Sequence, residues 1–234
     1  MKKFLYRLFL LVFACFLNGC SFFFVTTTTV HVPEPPKAGN YPSVEDWNDA
    51  GYAQANTAKD AAYLSADEKE LIRLTNLMRM NPVYFEKTFL NEYLRDNRDD
   101  ESFVKSLRSD LKKQKPLPLL FPDKNLCRAA TFHAEDMGKT GKLGHSSSNR
   151  QGMKARLEKF GTRNCFIAEN CSYGYDTPLK ILCSLLVDSG VPSLGHRKNL
   201  LSNDFDKVGM SIKPHKSYRI NAVQDFAGRC LSKK

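Results

Sequence analysis

The sequence predicts an α+β domain in which several helices come first and an antiparallel β-hairpin comes last. Apolar residues recur at helical spacing in several segments between about residues 65 and 187. The segments 208–212 and 218–223 instead alternate loosely between apolar and polar side chains, and a Lys-Pro-His-Lys turn separates them. The first pattern is typical of amphipathic helices and the second of paired strands. This order favours a sandwich with an antiparallel sheet over a doubly wound parallel sheet.

Capping residues mark where three of the predicted helices begin. Ser65 and Glu68 form a capping box, in which each side chain accepts a hydrogen bond from a free backbone amide. Asp123 is expected to cap another helix, and Thr177, followed by Pro178, a later one. Two further helices are predicted from apolar stripes, with Phe103, Leu107 and Leu111 in one, and Met153, Leu157 and Phe160, closed by Gly161, in the other.

The first twenty residues resemble a bacterial lipoprotein leader. Two lysines and an arginine precede residues 8–17, which carry no polar side chain, and this is the pattern of a secretory signal. Such a run is too short to cross a bilayer core about 30 Å thick. The leader ends Leu-Asn-Gly-Cys, which resembles a lipobox with Cys20 as the acylated residue. The alternative is an ordinary secreted protein that is cleaved nearby.

The predicted organisation is a lipoprotein signal peptide at 1–19, a lipidated tether and linker at 20–60, and one domain at 61–230. The tether is rich in threonine and proline, as extended linkers are. Cleavage would remove three basic residues and no acidic ones, so the formal net charge would fall from +10 to +7. A basic surface favours anionic lipid head groups or acidic polymers but defines no nucleic-acid site. The expected location is the cell envelope, facing the periplasm or the cell exterior.

Five cysteines follow the leader: Cys127, Cys165, Cys171, Cys183 and Cys230. Export permits disulfides, and an odd number leaves at least one thiol without a partner in the chain. The sequence does not decide among the pairings, although the short spacing favours a bridge between Cys165 and Cys171. No Cys-x-x-Cys pair occurs, which argues against a zinc ribbon or thioredoxin-like chemistry.

Several short motifs occur in a definite order along the domain. After a helical segment over 71–79 they are Leu117-Pro118-Leu119, His133-Ala134-Glu135-Asp136-Met137, Leu143-Gly144-His145-Ser146, Ala168-Glu169-Asn170, Gly195-His196-Arg197-Lys198-Asn199 and Val223-Gln224-Asp225-Phe226. In this order they resemble the CAP superfamily of cysteine-rich secretory, antigen 5 and pathogenesis-related proteins. The resemblance covers roughly residues 68 to 228. It implies a three-layer α-β-α sandwich with an antiparallel sheet.

The resemblance also implies a cleft in which three side chains meet: His145, Glu169 and His196. The family often has a fourth residue there, a glutamate that follows a tryptophan on the helix before the Gly-His motif. Here Leu186 and Ser189 hold those two positions, and Asp188 lies beside Ser189. Asp188 and Ser189 are therefore added to the residues expected to line the cleft and bind a ligand.

Two neutral imidazoles and one carboxylate are the ligands of many zinc sites, with one position left for water. The sequence thus admits a divalent-metal site, with zinc as the candidate, at His145, His196 and Glu169. Without a metal, Glu169 would hydrogen-bond an imidazole and favour its charged form.

The remaining polar residues that stand out are expected to be structural. His133 lies on the core-facing stripe of its helix and is expected to be a satisfied packing residue, with a supporting contact to His145 as the alternative. His215 and His31 are expected to be exposed, in a turn and in the tether. Four residues are expected to bridge helix ends and loops around the cleft: Asn76, Arg79, Asn170 and Asn199.

The favoured function is binding rather than catalysis, by an exported CAP domain tethered to a membrane through Cys20. Its cleft would take a lipid, a small ligand or an extracellular protein partner. The alternative is a metal-dependent hydrolase or peptidase that uses His145 and His196 as ligands and Glu169 as ligand or general base. The absence of a glutamate at position 189 favours binding. A third interpretation is an envelope protein whose cleft is inert.

Overall fold

The computed structural model describes residues 47–48, 50–163 and 165–230. A 3-10 turn at Ala50–Ala55 comes first, and a π-helical segment at Glu86–Leu90 joins α2 to α3. The helices are α1 (Ala66–Met80), α2 (Pro82–Phe85), α3 (Asn91–Asp96), α4 (Glu101–Lys113), α5 (Lys124–Thr140), α6 (Met153–Lys159), α7 (Pro178–Val187) and α8 (Gly195–Leu200). The strands are β1 (Phe121–Pro122), β2 (Cys165–Tyr173), β3 (Phe205–His215) and β4 (Arg219–Cys230). The expected signal peptide, Cys20 and His31 lie outside the described residues.

The four strands form one sheet in the order β1-β3-β4-β2. β3 and β4 form the predicted hairpin, and β2 pairs antiparallel with β4. β1 has two residues and pairs parallel with β3. The α+β class is therefore confirmed, and the antiparallel arrangement holds for the three long strands.

β2 is a strand that the sequence analysis did not predict. It lies at the edge of the sheet, and its residues Glu169, Asn170 and Ser172 are polar yet buried. α6, α7 and α8 all pack against this strand. The apolar and polar alternation of a half-buried strand is absent because Glu169 and Asn170 are adjacent buried polar residues, which bond to His145 and Arg156 and to His196 and Gln224.

Helices cover both faces of the sheet, which gives the three-layer α-β-α sandwich. α5 packs on one face against β3 and β4. The approach is close, because a Cβ atom on Gly209 would lie 2.2 Å from the backbone carbonyl carbon of Leu126. α1 and α7 lie on the other face, where Val208, Met210 and Phe226 join the main core. Glycine at position 209 thus lets α5 sit directly on the strand.

The three predicted helix caps are confirmed. Ser65 accepts the backbone N–H of Glu68, and the Glu68 carboxylate accepts the backbone N–H of Ser65 at 2.8 Å. Asp123 accepts two amides of the first turn of α5, and Thr177 accepts the amide of Lys180 in α7. These bonds satisfy amides that have no partner within the helix. α4 and α6 are the helices that were predicted from apolar stripes.

Two buried polar residues of α1 tie loops to the core, as expected for Asn76 and Arg79. The side-chain amide of Asn76 donates to the carbonyls of Ala55 and Leu120. Arg79 donates to four backbone carbonyls, those of Pro118, Leu200, Ser202 and Phe205. Burial lowers the pKa of Arg79 to about 10, so the guanidinium stays charged at neutral pH.

The disulfide joins Cys165 to Cys230, at the paired ends of β2 and β4. The favoured bridge between Cys165 and Cys171 is wrong. Both residues lie on β2, six positions apart, and an extended strand separates such residues by roughly 20 Å, whereas a disulfide needs Cα atoms within about 7 Å. The other described cysteines, Cys127, Cys171 and Cys183, are free and buried.

Part of the segment expected to be a linker packs on the domain. The ring of Trp47 stacks on that of Tyr84, with centroids 4.5 Å apart, and its indole N–H donates to Thr88. Tyr52 and Ala55 are buried in the main core. The packed body therefore begins before residue 61. Among the helices described, none is both long and apolar enough to cross a membrane.

Candidate functional site

The carboxylate of Glu169 lies at the centre of a buried polar cluster on β2. Its Oε1 atom is 2.8 Å from Nδ1 of His145 and 4.0 Å from Nε2 of His133. Its Oε2 atom contacts the guanidinium of Arg156. The strand register places Asp225 of β4 directly opposite Glu169. Five ionisable side chains therefore meet at this edge of the sheet.

Glu169 is held as a carboxylate. Burial alone would raise the pKa of Glu169, but the hydrogen bond with His145 and the charge of Arg156 outweigh it, and the pKa is lowered overall. Arg156 is fully buried and also donates to the backbone carbonyl of His145 and to Ser147 Oγ, both at 3.2 Å. A buried charge is costly unless it is paired. Arg156 thus neutralises Glu169 and at the same time holds the loop that carries His145.

Asp225 is held in its neutral acid form. Its burial, together with the charge of Glu169, raises the pKa of Asp225 well above its usual range. Neither oxygen of Asp225 accepts a hydrogen bond from the described part of the chain. As a neutral acid, Asp225 adds no second negative charge opposite Glu169. The two carboxyl groups then carry one negative charge, which matches the positive charge of Arg156.

His145 is the solvent-facing member of the cluster, with 52% of its side chain exposed. It follows Gly144, whose φ of 96° is a left-handed conformation that favours glycine. A carboxylate can only accept a hydrogen bond, so Nδ1 of His145 carries the proton that is shared with Glu169. In the neutral ring, Nε2 is left with a free lone pair.

His196 has the same arrangement with another carboxylate. Asp188 ends α7 in a left-handed conformation with φ of 58°, and its Oδ1 lies 2.7 Å from Nδ1 of His196. Its Oδ2 accepts the backbone N–H of His196 at 3.0 Å. The carboxylate of Asp188 is almost completely buried, whereas 23% of the His196 side chain is exposed. In the neutral form of His196, Nε2 therefore also carries a lone pair.

The two histidine–carboxylate pairs are connected through β2. Asn170, next to Glu169 in the chain, donates to the backbone carbonyl of His196 at 3.3 Å. Asn199 of α8 donates to the backbone carbonyl of Glu169 at 3.4 Å and to the side chain of Asn170 at 2.9 Å. The bridging role expected for both asparagines is confirmed. Among the described residues, no hydrogen bond joins the side chains of one pair directly to those of the other.

Ser189 points away from both pairs. Its exposed hydroxyl donates to Asp99 Oδ1, 3.0 Å away on the loop before α4. Asp188 instead reaches His196. Of the two neighbouring residues expected to line the cleft, the structure thus places only Asp188 in contact with a predicted cleft histidine.

His133, Glu169 and Cys171 bring three types of metal ligand within 4.8 Å of one another, all buried. Burial raises the pKa of the Cys171 thiol well above its usual range, so it stays protonated. Glu169 is already neutralised by Arg156, and the guanidinium would repel a cation placed beside it. This buried group therefore does not fit a metal ion as it stands.

His133 is the satisfied packing residue that the sequence predicts. Its Nδ1 atom lies 3.1 Å from Ser147 Oγ, and Nε2 lies 2.8 Å from the backbone carbonyl oxygen of Gly144. Burial lowers the pKa of His133 and so favours the neutral ring. It therefore supports the loop before His145 through hydrogen bonds.

His215 is buried, so the expectation that it is an exposed turn residue is wrong. Its Nε2 atom lies 3.1 Å from the backbone carbonyl oxygen of Lys142. Its Nδ1 atom accepts the backbone N–H groups of Ser217 and Tyr218 at 3.2 and 3.1 Å. The imidazole is buried because it bonds to the backbone of the hairpin turn and of the neighbouring loop.

The structure brings His133, Glu169 and Cys171 together, but among the described residues it does not bring the predicted set of His145, His196 and Glu169 within the same 4.8 Å. His145 and His196 nevertheless share one feature of metal-binding histidines. Proteins commonly orient a metal-binding histidine by a hydrogen bond from its second ring nitrogen to a carboxylate. Glu169 and Asp188 supply that bond here. Both oxygens of Glu169 are already engaged, one by His145 and the other by Arg156. These side chains therefore suit a site with two imidazole ligands, each oriented by a carboxylate. They suit a site in which Glu169 is itself a ligand less well.

The family model of the cysteine-rich secretory protein family, CAP, matches residues 72–226, which is more than half of the chain. The chain belongs to the CAP family. The matched residues of this CAP domain include both histidine–carboxylate pairs, Arg156 and Asp225.

Solved structures of low sequence identity resemble parts of the CAP domain. An extracellular protein of Bacillus anthracis that contains an SCP domain matches with 22% identity and a TM-score of 0.41, over 56% of this chain and 40% of its own. An outer surface protein of Borrelia burgdorferi matches with 23% identity and a TM-score of 0.42, over 56% of this chain and 96% of its own. A cysteine-rich secretory protein of Staphylococcus aureus matches with 18% identity and a TM-score of 0.34, over 55% and 38%. Comparison with curated proteins gave no match.

Arg156 and Asp225 of the CAP domain have contacts at the site that their sequence context did not predict. Arg156 lies in the short helix α6 beside the apolar Leu157, and a single arginine in such a pattern is usually exposed. Asp225 belongs to one of the family motifs, but its position opposite Glu169 depends on the register of β2, which was not predicted as a strand. If β2 had been predicted as a strand, its pairing would have indicated that Asp225 lies opposite Glu169, and its packing against α6 would have pointed to Arg156.

Proposed function

We propose that this protein is an exported CAP domain, anchored to a membrane through Cys20, whose cleft at His145 and His196 binds a ligand. The ligand is a lipid, a small molecule or an extracellular partner that presents a group able to interact with imidazole. A divalent metal, with zinc as the candidate, is the simplest group that two such imidazoles would hold. Binding, rather than turnover, is the function that the geometry supports best.

The observation that carries the proposal is the matched orientation of the two histidines. Each donates Nδ1–H to a buried carboxylate, at 2.8 Å in one case and 2.7 Å in the other, and each is partly exposed to solvent. A histidine that served only packing would have both ring nitrogens satisfied, as His133 and His215 do. In His145 and His196, by contrast, Nε2 forms no hydrogen bond with any described residue.

The other residues of the cluster orient the two histidine rings and hold the elements around them in place. Glu169 and Asp188 fix the ring tautomers, Arg156 holds Glu169 ionised, and Asn170 with Asn199 holds α8 against β2. A bound divalent ion would supply a Lewis acid that attracts an anionic or carbonyl oxygen of the ligand. The proposal requires the two Nε2 atoms to face the same ligand.

The hydrolase alternative is less well supported. A metal hydrolase needs a general base within reach of the metal-bound water. Glu169 was the candidate, but its two oxygens are engaged by His145 and Arg156 and its side chain is buried. Ser189 stands where the family often has a second glutamate and faces Asp99 instead.

Isothermal titration with Zn²⁺ tests the cleft. We expect His145→Ala and His196→Ala each to weaken zinc binding by at least tenfold, while both variants retain the circular dichroism spectrum of the unaltered protein. His31→Ala, a histidine of the expected tether, is the matched control and should bind as the unaltered protein does. Equal zinc affinity in all four proteins would contradict the metal-binding form of the proposal.

Native mass spectrometry of the same proteins, after incubation with a total lipid extract, tests the version of the proposal in which the cleft binds its ligand without a metal. A retained ligand that is lost in His145→Ala and His196→Ala would support it, and a cleft that retains nothing would contradict it.

The membrane anchor has a separate test. Globomycin treatment should make an unprocessed precursor accumulate, and in Cys20→Ser the inhibitor should have no effect on processing, because that precursor is not acylated.

A further inference from the structure

We propose that one end of the domain docks on the surface of an anionic lipid bilayer. This end, the basic tip, is made of Lys139, Lys142, Leu143, Lys216 and Tyr218, all of them exposed. The inference goes beyond ligand binding in the cleft, and it requires neither a metal nor a lipid on Cys20.

Backbone contacts bring the parts of the basic tip together. The tip is formed where the C-terminal end of α5 meets the β3–β4 turn. The backbone N–H of Lys216 donates to the carbonyl of Gly138 at 3.0 Å, and Nε2 of His215 bonds the carbonyl of Lys142 at 3.1 Å. A Cβ atom on Gly138 would lie 2.2 Å from the carbonyl oxygen of Pro214, so the two segments are in direct contact. The lysines on both segments therefore project from one joint surface.

Two exposed apolar side chains accompany these lysines. Leu143 is 50% exposed and Tyr218 is 45% exposed, although both are large. Tyr173 links their loops, because its hydroxyl accepts the backbone N–H of Gly144 at 2.9 Å and its ring lies 6.0 Å from that of Tyr218. Lysines around a leucine and a tyrosine suit a membrane interface, where leucine enters the acyl boundary and tyrosine sits among the head groups.

The positive charge of the basic tip is not offset by an ion pair in the part of the chain that the structure describes. Lys139, Lys142 and Lys216 form no ion pair with any residue of the described ranges. Glu135, one turn before Lys139 on α5, is the nearby exposed acid, whereas the neighbouring Asp136 is engaged by the amide of Ser148 at 2.6 Å. Unpaired lysines beside exposed apolar side chains complement a layer of phosphate groups over hydrocarbon. An acidic polymer would match only the charge.

Docking through the basic tip would also orient the cleft. His145 lies two residues after Leu143, on the same loop. A bilayer that contacts Leu143 would therefore lie close to the open side of His145. This arrangement would let a ligand of the cleft be drawn from the membrane or presented to it.

Vesicle co-sedimentation of the full chain tests the proposal. All proteins carry Cys20→Ser, which removes the predicted acyl acceptor and leaves the N-terminal segment otherwise identical. Vesicles contain either phosphatidylglycerol and phosphatidylcholine or phosphatidylcholine alone. We expect stronger partitioning onto the anionic vesicles, and a loss of at least tenfold in K142E/K216E, since each lysine near the surface contributes about fivefold.

The matched control is K112E/K113E, which makes the same change of charge on α4, a helix that packs on α2 and α7. It should change partitioning by less than about twofold. Equal losses in the two charge variants would overturn the proposal, because net charge rather than the basic tip would then account for binding.

A third variant, L143S/Y218S, separates a bilayer from an acidic macromolecule. It leaves the charge unchanged and should lower partitioning onto the anionic vesicles by about fivefold or more, with the fold checked by circular dichroism. Unchanged partitioning in L143S/Y218S, together with equally strong binding of the parent protein to polyglutamate, would show that the basic tip recognises negative charge alone and would overturn the bilayer as its partner.

Discussion

Nδ1 of His145 lies 2.8 Å from Oε1 of Glu169, and this bond joins a solvent-exposed imidazole to a fully buried carboxylate. The buried partner in turn contacts Arg156 and faces Asp225 across the sheet. The position and tautomer of His145 are therefore set by buried groups. Asp188 acts on His196 in the same way, since its buried carboxylate accepts from Nδ1 of that ring.

Replacement of Asp188 should weaken the proposed zinc binding through His196. Asp188→Asn keeps the shape of the side chain but removes the charge that orients the ring. Loss of such an orienting carboxylate typically costs 10- to 100-fold in metal affinity, so we expect a loss of about that size in calorimetry. Ser189→Ala is the neighbouring control and should change the affinity by less than about twofold. Similar affinities in the two variants would show that Asp188 does not act on the site.

Replacement of Arg156 should strongly destabilise the domain. Arg156→Gln leaves the buried carboxyl groups of Glu169 and Asp225 without their positive partner, and such a loss typically costs about 3–5 kcal/mol in the free energy of unfolding. Urea unfolding measures this. Lys154→Gln, an exposed site on the same helix, should change the free energy by no more than about 0.5 kcal/mol. R156Q/E169Q should recover part of the loss, and failure to do so would mean that Arg156 acts by packing alone.

Stability should fall as the pH drops below about 6.5, in part because of His133. Burial lowers the pKa of His133 below its ordinary value of 6.5, so between the two values the unfolded chain binds a proton that the folded chain does not. That difference contributes up to about 1.4 kcal/mol per pH unit. His133→Gln removes the titrating group, so its urea midpoint should fall less between pH 7 and pH 5.5. Parallel pH profiles for the two proteins would contradict this assignment.

Peptide mapping under non-reducing conditions should recover Cys165 linked to Cys230. The bridge ties the first residue of β2 to the last residue of β4 across a sequence separation of 65 residues. A loop of this size typically makes a disulfide worth about 2–4 kcal/mol, so reduction should lower the free energy of unfolding by that amount. Recovery of a Cys165–Cys171 peptide would instead contradict the pairing of the strands.

The helices could be predicted because their signals are local. The capping box of Ser65 and Glu68, the cap at Asp123 and the Thr177-Pro178 start each lie within a few residues of the helix they begin. The hairpin could be predicted for the same reason, because its two strands are neighbours in the chain. His145, Glu169 and His196 could be named from family motifs, without any geometry.

The rest of the site depends on contacts between distant segments. Glu169 meets Asp225 only because β2 pairs with β4 in one register, and β2 lacks the apolar and polar alternation that predicts a half-buried strand. The same pairing explains why Cys165 bonds Cys230 and not its neighbour Cys171. His215 was expected to be exposed because it lies in a turn, but its ring bonds the backbone of Tyr218 within that turn and of Lys142 on the loop after α5.

The most direct test of the central claim is a zinc titration followed through the imidazole nitrogens by long-range ¹H–¹⁵N correlation spectra. The account predicts that His145 and His196 start as Nδ1–H tautomers, and that Zn²⁺ shifts the Nε2 resonances of both together while His133 and His215 are unaffected. Shifts that appear first at His133, or a His145 ring that carries its proton on Nε2, would contradict it.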